Sequence, residues 1–113
     1  MSHMSVSERG VYARDKCTCL YCGLCGFDDF NIWMNLTVDH IVPGAGESAE
    51  NKALSCTHCN RIKNDYVPKG SNREEKIADA RGYVERQRDS WRERFGQMIE
   101  QIKIQTETLP RSK

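Results

Sequence analysis

Cys19-Leu20-Tyr21-Cys22, then Val38-Asp39-His40-Ile41-Val42-Pro43, then Cys56-Thr57-His58-Cys59-Asn60: these three pieces of a 113-residue chain decide its fold. The first and last are C-x-x-C knuckles, with 33 residues between Cys22 and Cys56. A two-residue spacer lets both thiolates of a knuckle face one ion, and two knuckles complete the tetrahedron that Zn²⁺ prefers. Cys19, Cys22, Cys56 and Cys59 are therefore expected to hold a structural zinc, with no position left for water. Such a staple supplies folding free energy that a small core lacks. Two of the six cysteines remain. Cys17 is too close to Cys19 to join the same tetrahedron, so Cys17 and Cys25 read as ordinary thiols, with Cys25 a possible substitute ligand. In a reducing compartment, paired cysteines of this kind bind metal more often than they form disulfides.

Working outward, Asn35 to Val42 is rich in β-branched residues and reads as a strand halted by Pro43. Glycines at 44 and 46 mark a loop. Asn51 to Ser55 would be a second strand, and Cys56 opens a helix that ends before Pro68. Ser7 is a candidate cap for a short first helix ending near Cys17. Asn72, with Glu75 three residues on, looks like the start of a helix running to about Thr106. Along it Ile77, Val84, Trp91 and Met98 recur every seven residues, with Phe95 and Ile102 beside them. This is an amphipathic helix of roughly 30 residues. Packing of its apolar face on the small body is the expectation; a helix-to-helix dimer contact is the alternative. The fold class is α+β: a small ββα core with a four-cysteine zinc site and a long C-terminal helix.

Between the knuckles, Asp39-His40-Ile41-Val42-Pro43, Asn51-Lys52-Ala53-Leu54 and Cys59-Asn60-x-x-Lys63 together resemble the H-N-H nucleases with the ββα-metal fold. The likeness covers about Arg14 to Pro68. The run Asn60-Arg61-Ile62-Lys63-Asn64-Asp65 is also similar to the H-N-H domain of RNA-guided DNA nucleases. The resemblance puts the family's first His on His40, its Asn on Asn51 and its second His on Asn60. An amide oxygen can ligate a hard divalent ion, so the chemistry survives that last change. The implied activity is divalent-metal-dependent hydrolysis of DNA phosphodiesters. His40 would deprotonate the attacking water, since an imidazole with a pKa near 6.5 suits that task. Asp39 and Asn60 would hold one Mg²⁺ or Mn²⁺ through oxygen atoms. Asn51 would hold the loop or orient the imidazole. Adjacent strand residues point to opposite faces, so Asp39 and His40 can share a phosphate only if the strand end twists or bulges.

Lys63, Arg61 and Lys69 are expected at flanking phosphates. His58 reads as exposed, with a minor role. Arg81 and Arg88 share a face of the long helix, with Arg92 beside them, and an edge of this kind can follow a DNA backbone. Interleaved Glu85, Asp89 and Glu93 favour a solvated, self-paired surface instead. The net charge of +1, with only 7 of the 17 basic residues before residue 71, argues against a strong nonspecific DNA binder. No base-reading motif is visible, so sequence preference should be weak. No apolar stretch approaches the roughly 18 residues that span a bilayer, and a cytoplasmic setting in a bacterium or phage is expected. Residues 1–4 read as an expression scar, 5–70 as the nuclease domain, and 71–113 as the long helix and tail. One centre per chain points to nicking by a monomer; a homodimer through the helix would cut both strands. The alternative is a non-catalytic zinc module that binds DNA or protein.

Overall fold

The computed structural model describes residues 4–109, so the first three residues of the scar and the tail after Leu109 lie outside it. Helix α1 (Val6–Arg14) is followed by a short α2 (Phe30–Met34), then strand β1 (Leu36–His40). A 3₁₀ turn (Ala49–Asn51) leads into strand β2 (Lys52–Cys56), which runs directly into α3 (Thr57–Lys63). Helix α4 (Arg73–Thr108) completes the chain. The two strands pair antiparallel from Leu36↔Cys56 to His40↔Lys52. The ββα unit with its long C-terminal helix thus forms as the sequence indicates. Sequence patterning missed α2, whose five residues are too few to show a period.

The first helix is capped by Ser5 rather than Ser7. Ser5 Oγ accepts from Glu8 N, and Glu8 returns a bond to the Ser5 amide, a complete capping box. It also stops earlier than expected. Lys16 and Cys17 adopt left-handed φ values of 55° and 54°, which no helix continues through. At the other end, Asn72 Oδ1 accepts from Glu75 N, as its position suggested. Glu75 bonds to the Ser71 amide, one residue before the place a capping box would use.

The core lies where α1, the hairpin, the first knuckle and the near half of α4 meet. Val11, Leu36, Ile41, Leu54, Ile62, Ile77, Ala80 and Val84 are all buried in it. Burying a side chain such as Ile77 or Val84 contributes about 1.5–3 kcal/mol, so α4 is a main wall of this small body. Asp15 stitches the wall together. Its carboxylate takes two bonds from Arg14, one from the Leu54 amide at 2.9 Å, and an ion pair from Arg73 at 3.6 Å. Desolvation would raise its pKa, but these donors win and hold it below the ordinary carboxylate value.

The heptad-spaced face of α4 behaves in two ways. Its near half packs on the body, as expected. Beyond Val84 the face is no longer covered, and Trp91, Phe95, Met98 and Ile102 stay 43%, 60%, 59% and 46% exposed. A 36-residue helix is about 54 Å long, which matches the 53 Å long axis of the molecule. No described helix is long and apolar enough to cross a membrane.

Candidate metal and active site

Two polar centres sit toward opposite ends of the strand ladder, one at Cys56, opposite Leu36, and one at His40, opposite Lys52. The first is the sulfur cluster. The sulfurs of Cys19, Cys22, Cys56 and Cys59 all lie within 4.8 Å of one another. Cys22 Sγ and Cys56 Sγ are 3.8 Å apart, which is the edge of a tetrahedron with bonds of about 2.3 Å to a central zinc. The donor set and its spacing fit Zn²⁺. Local geometry explains the placement. Gly23, at φ 85°, closes the first knuckle by donating its amide to the Cys19 carbonyl. Cys56 is the N-cap of α3, and its sulfur accepts from the Cys59 amide. Arg88 of α4 reaches Cys59 Sγ at 3.8 Å. Cys17 and Cys25 stand outside the cluster. Cys17 lies against Gly26, where any Cβ would come within 3.0 Å of its sulfur.

The second centre is a cavity of about 450 Å³ at the end of β1, walled by Asp39, His40, Glu47, Asn60, Asn64 and the Pro43–Gly46 turn. It brings Asp39, His40 and Asn60 together. The strand ladder stays regular through His40↔Lys52, so the bulge expected from sequence is not what unites them. Alternation holds: Asp39 turns toward α3, and His40 turns toward Val38 and α1. The cavity instead wraps around the strand end, so both faces open into it.

His40 Nε2 lies 2.9 Å from Glu47 Oε2, and Lys52 Nζ lies 3.6 Å from Glu47 Oε1. The bond from His40, then its charge, holds the Glu47 carboxyl below the ordinary glutamate value. Asn51 makes no bond to the imidazole. Its side chain accepts from Val42 N at 2.9 Å and donates to Val42 O and Gly46 O at 3.0 and 3.1 Å. Of the two tasks expected for it, the observed bonds are those that hold the loop.

Asp39 is buried, and its Oδ2 takes the Tyr21 hydroxyl at 2.7 Å and Lys63 Nζ at 3.1 Å. Burial raises its pKa, and those two donors only partly oppose the rise. Tyr21, itself inside the first knuckle, has its phenol pushed well above the ordinary value by burial and by Asp39. Lys63 departs from its expected place at a flanking phosphate. Its side chain is wholly buried, and Nζ donates to the His40 carbonyl at 3.0 Å as well as to Asp39. A cation enclosed there cannot reach a nucleic-acid backbone; it neutralises Asp39 and ties α3 to the end of β1. Arg61 and Lys69 remain exposed. On α4 neither reading of the arginines holds throughout. Arg81 binds the Leu20 carbonyl and Arg88 the Cys59 sulfur, while Arg92 pairs with Asp89 on the surface.

Sequence reasoning missed Tyr21, Glu47 and Asp15. A tyrosine enclosed between two knuckle cysteines was a usable signal for the first. Glu47, seven residues past His40 in a glycine loop, gave none.

The geometry defines a class: a ββα protein with one closed sulfur site and one open site of oxygen and nitrogen donors on the same hairpin. Residues 19–66 match the family model described as HNH endonuclease. That stretch holds both knuckles, Asp39, His40, Asn51 and Asn60, so the similarity to HNH endonucleases covers both centres. No curated protein and no solved structure matches the chain.

Proposed function

We propose that this protein is a divalent-metal-dependent DNA endonuclease that hydrolyses phosphodiester bonds, nicking one strand with little sequence preference. The observation that carries the reading is the shared cavity of Asp39, His40 and Asn60 within the stretch similar to HNH endonucleases.

His40 acts as the general base. Glu47 Oε2 accepts a hydrogen bond from Nε2–H, and in that tautomer Nδ1 carries the lone pair that takes the proton from water. The side chain is 39% exposed, so water reaches it. Asn51 holds the Val42–Gly46 loop that carries Glu47 to the imidazole. Asp39 and Asn60 offer a carboxylate and an amide oxygen, a hard donor set that fits Mg²⁺ or Mn²⁺. Both bonds to Asp39 fall on Oδ2, leaving Oδ1 for the cavity. When bound, the divalent ion would supply positive charge against the phosphate and its departing oxygen. Lys63 and the Tyr21 hydroxyl partly oppose the rise that burial imposes on the Asp39 carboxyl. Arg61 and Lys69 hold flanking phosphates. Residues 5–70 are the nuclease unit, and the helix from residue 71 buttresses it. The chain acts as a monomer; a homodimer through α4 would instead present two centres.

The test is incubation of supercoiled plasmid with zinc-loaded protein and Mg²⁺ or Mn²⁺. Open-circle product should form, and His40→Ala should slow it at least about 100-fold. Early linear product would replace the monomer with a paired enzyme. Folded, zinc-loaded protein that cuts nothing with either ion would leave a zinc-containing binding module.

A further inference from the structure

A second groove, of about 540 Å³, runs between α3 and the middle of α4, and the chemistry above does not use it. Ile62 and the rings of Trp91 and Phe95 line it, with Arg61, Arg92 and His58 beside them. Trp91 and Phe95 are four residues apart, hence neighbours on one helix face, and each is about half exposed. Arg88 also lines the groove and reaches Cys59 on the zinc side, so the wall is tethered to the staple. Arg92 is held only by Asp89, in a pair exposed on both sides. Such a pair contributes little and is readily exchanged for a phosphate.

We infer that this groove binds unpaired nucleotides of the DNA strand leaving the active-site cavity. The inference takes its ligand class from the nuclease reading. Two observations select it over other occupants. First, flat aromatic faces flanked by arginines are what stacked bases and their phosphates require. A second copy of this chain would set Arg61 and Arg92 against the same cations, a like-charge contact that opposes docking. Second, the groove and the candidate site lie on two faces of the same helix. On α3, Asn60 faces the cavity, as does Asn64 just past its end, while His58 and Ile62 face the groove. At 100° per residue, Arg61 falls between these two faces. A strand crossing one helix diameter, about 10 Å, passes over Arg61 and needs only a few nucleotides to do so.

The test measures binding, not cleavage. A 5′-labelled oligothymidylate of about 15 nucleotides is titrated by anisotropy into the zinc-loaded His40→Ala chain, which leaves it intact. Trp91→Ala and Phe95→Ala in that background should each weaken binding about 5- to 150-fold, the range of one lost stack. The salt dependence should not change. Arg61→Ala should instead reduce the salt slope by about 0.7. A blunt duplex, whose base faces are covered, should bind all these aromatic variants equally. Circular dichroism and zinc content verify that the exposed positions tolerate alanine. Unchanged oligothymidylate affinity would overturn the inference. So would an equal loss for the duplex, or a wild-type dimer that Trp91→Ala dissociates. The nuclease reading fails separately, by absence of plasmid nicking from the chain that keeps His40.

Discussion

The two centres of the hairpin differ in every respect that matters for reactivity. The sulfur cluster draws four ligands of one type, three of them buried, into a space 4.8 Å across. A single soft cation satisfies all four, and nothing is left for a substrate. The cavity at the end of β1 draws unlike groups from a strand, a loop and a helix around about 450 Å³ of open space. Its carboxylate is half committed, to Tyr21 and Lys63, before any cation arrives. One centre is built for closure, the other to keep positions vacant beside a held charge. They are not independent, because Tyr21 belongs to the first knuckle and donates to Asp39 of the second. The staple therefore also positions the open site.

Removing the metal from the staple should break this comparison outright. Cys56→Ser, or chelation of zinc, takes away a term of order 10 kcal/mol in apparent folding free energy. We expect loss of the cooperative thermal transition along with loss of bound zinc, read by calorimetry and elemental analysis. A chain that still melts cooperatively without metal would mean that the hydrophobic core around Val11, Leu54 and Val84 suffices alone.

Next in size is Lys63→Met, which leaves the sulfur ligands untouched and strips the buried cation from Asp39. Breaking a buried pair from one side costs about 3–5 kcal/mol, since the other charge stays enclosed. Denaturant unfolding should show that loss while zinc content stays the same. A change below about 1 kcal/mol would mean that Tyr21 alone supports the carboxylate. Asn51→Ala should follow, at about 2 kcal/mol, for three hydrogen bonds to the Val42–Gly46 loop at about 1 kcal/mol each, less what water restores. The same unfolding experiment measures it.

The same contrast explains what could be read in advance. The zinc ligands were legible because C-x-x-C spacing is local chemistry, complete within four residues. Strand, loop and helix around Asp39 and Asn60 were legible from β-branched runs, glycines and Pro43. Lys63 was not. Its position one turn after Asn60 says where it sits on α3, but burial against the end of β1 is a tertiary fact. Glu47 and Asp15 act across loop and helix contacts that no period encodes. The far half of α4 shares its heptad spacing with the near half, so sequence cannot tell that its apolar face is uncovered beyond Val84. Packing, not pattern, decides which half is covered.

The smallest expected effect tests the finest part of the comparison, whether the open site fixes its base as firmly as the closed site fixes its ligands. Glu47 is exposed, and its nearest partner is His40. Its carboxyl is held low by that partner, so the pair is present above the ordinary carboxylate value and is lost as pH falls through the lowered one. Near neutral pH the carboxylate is therefore always ready to accept a hydrogen bond from Nε2–H. Glu47→Ala should lower the rate of nicking roughly three- to tenfold, a fraction of what the base itself contributes, with KM unchanged. Glu47→Gln should recover most of it, because the amide oxygen still accepts. Lys52→Met should matter less, since Lys52 only tethers Glu47 from 3.6 Å. An alanine variant as fast as the parent would assign the orientation of His40 to its backbone, held by Lys63 at the carbonyl. The loop would then be a wall of the cavity and no part of its proton chemistry.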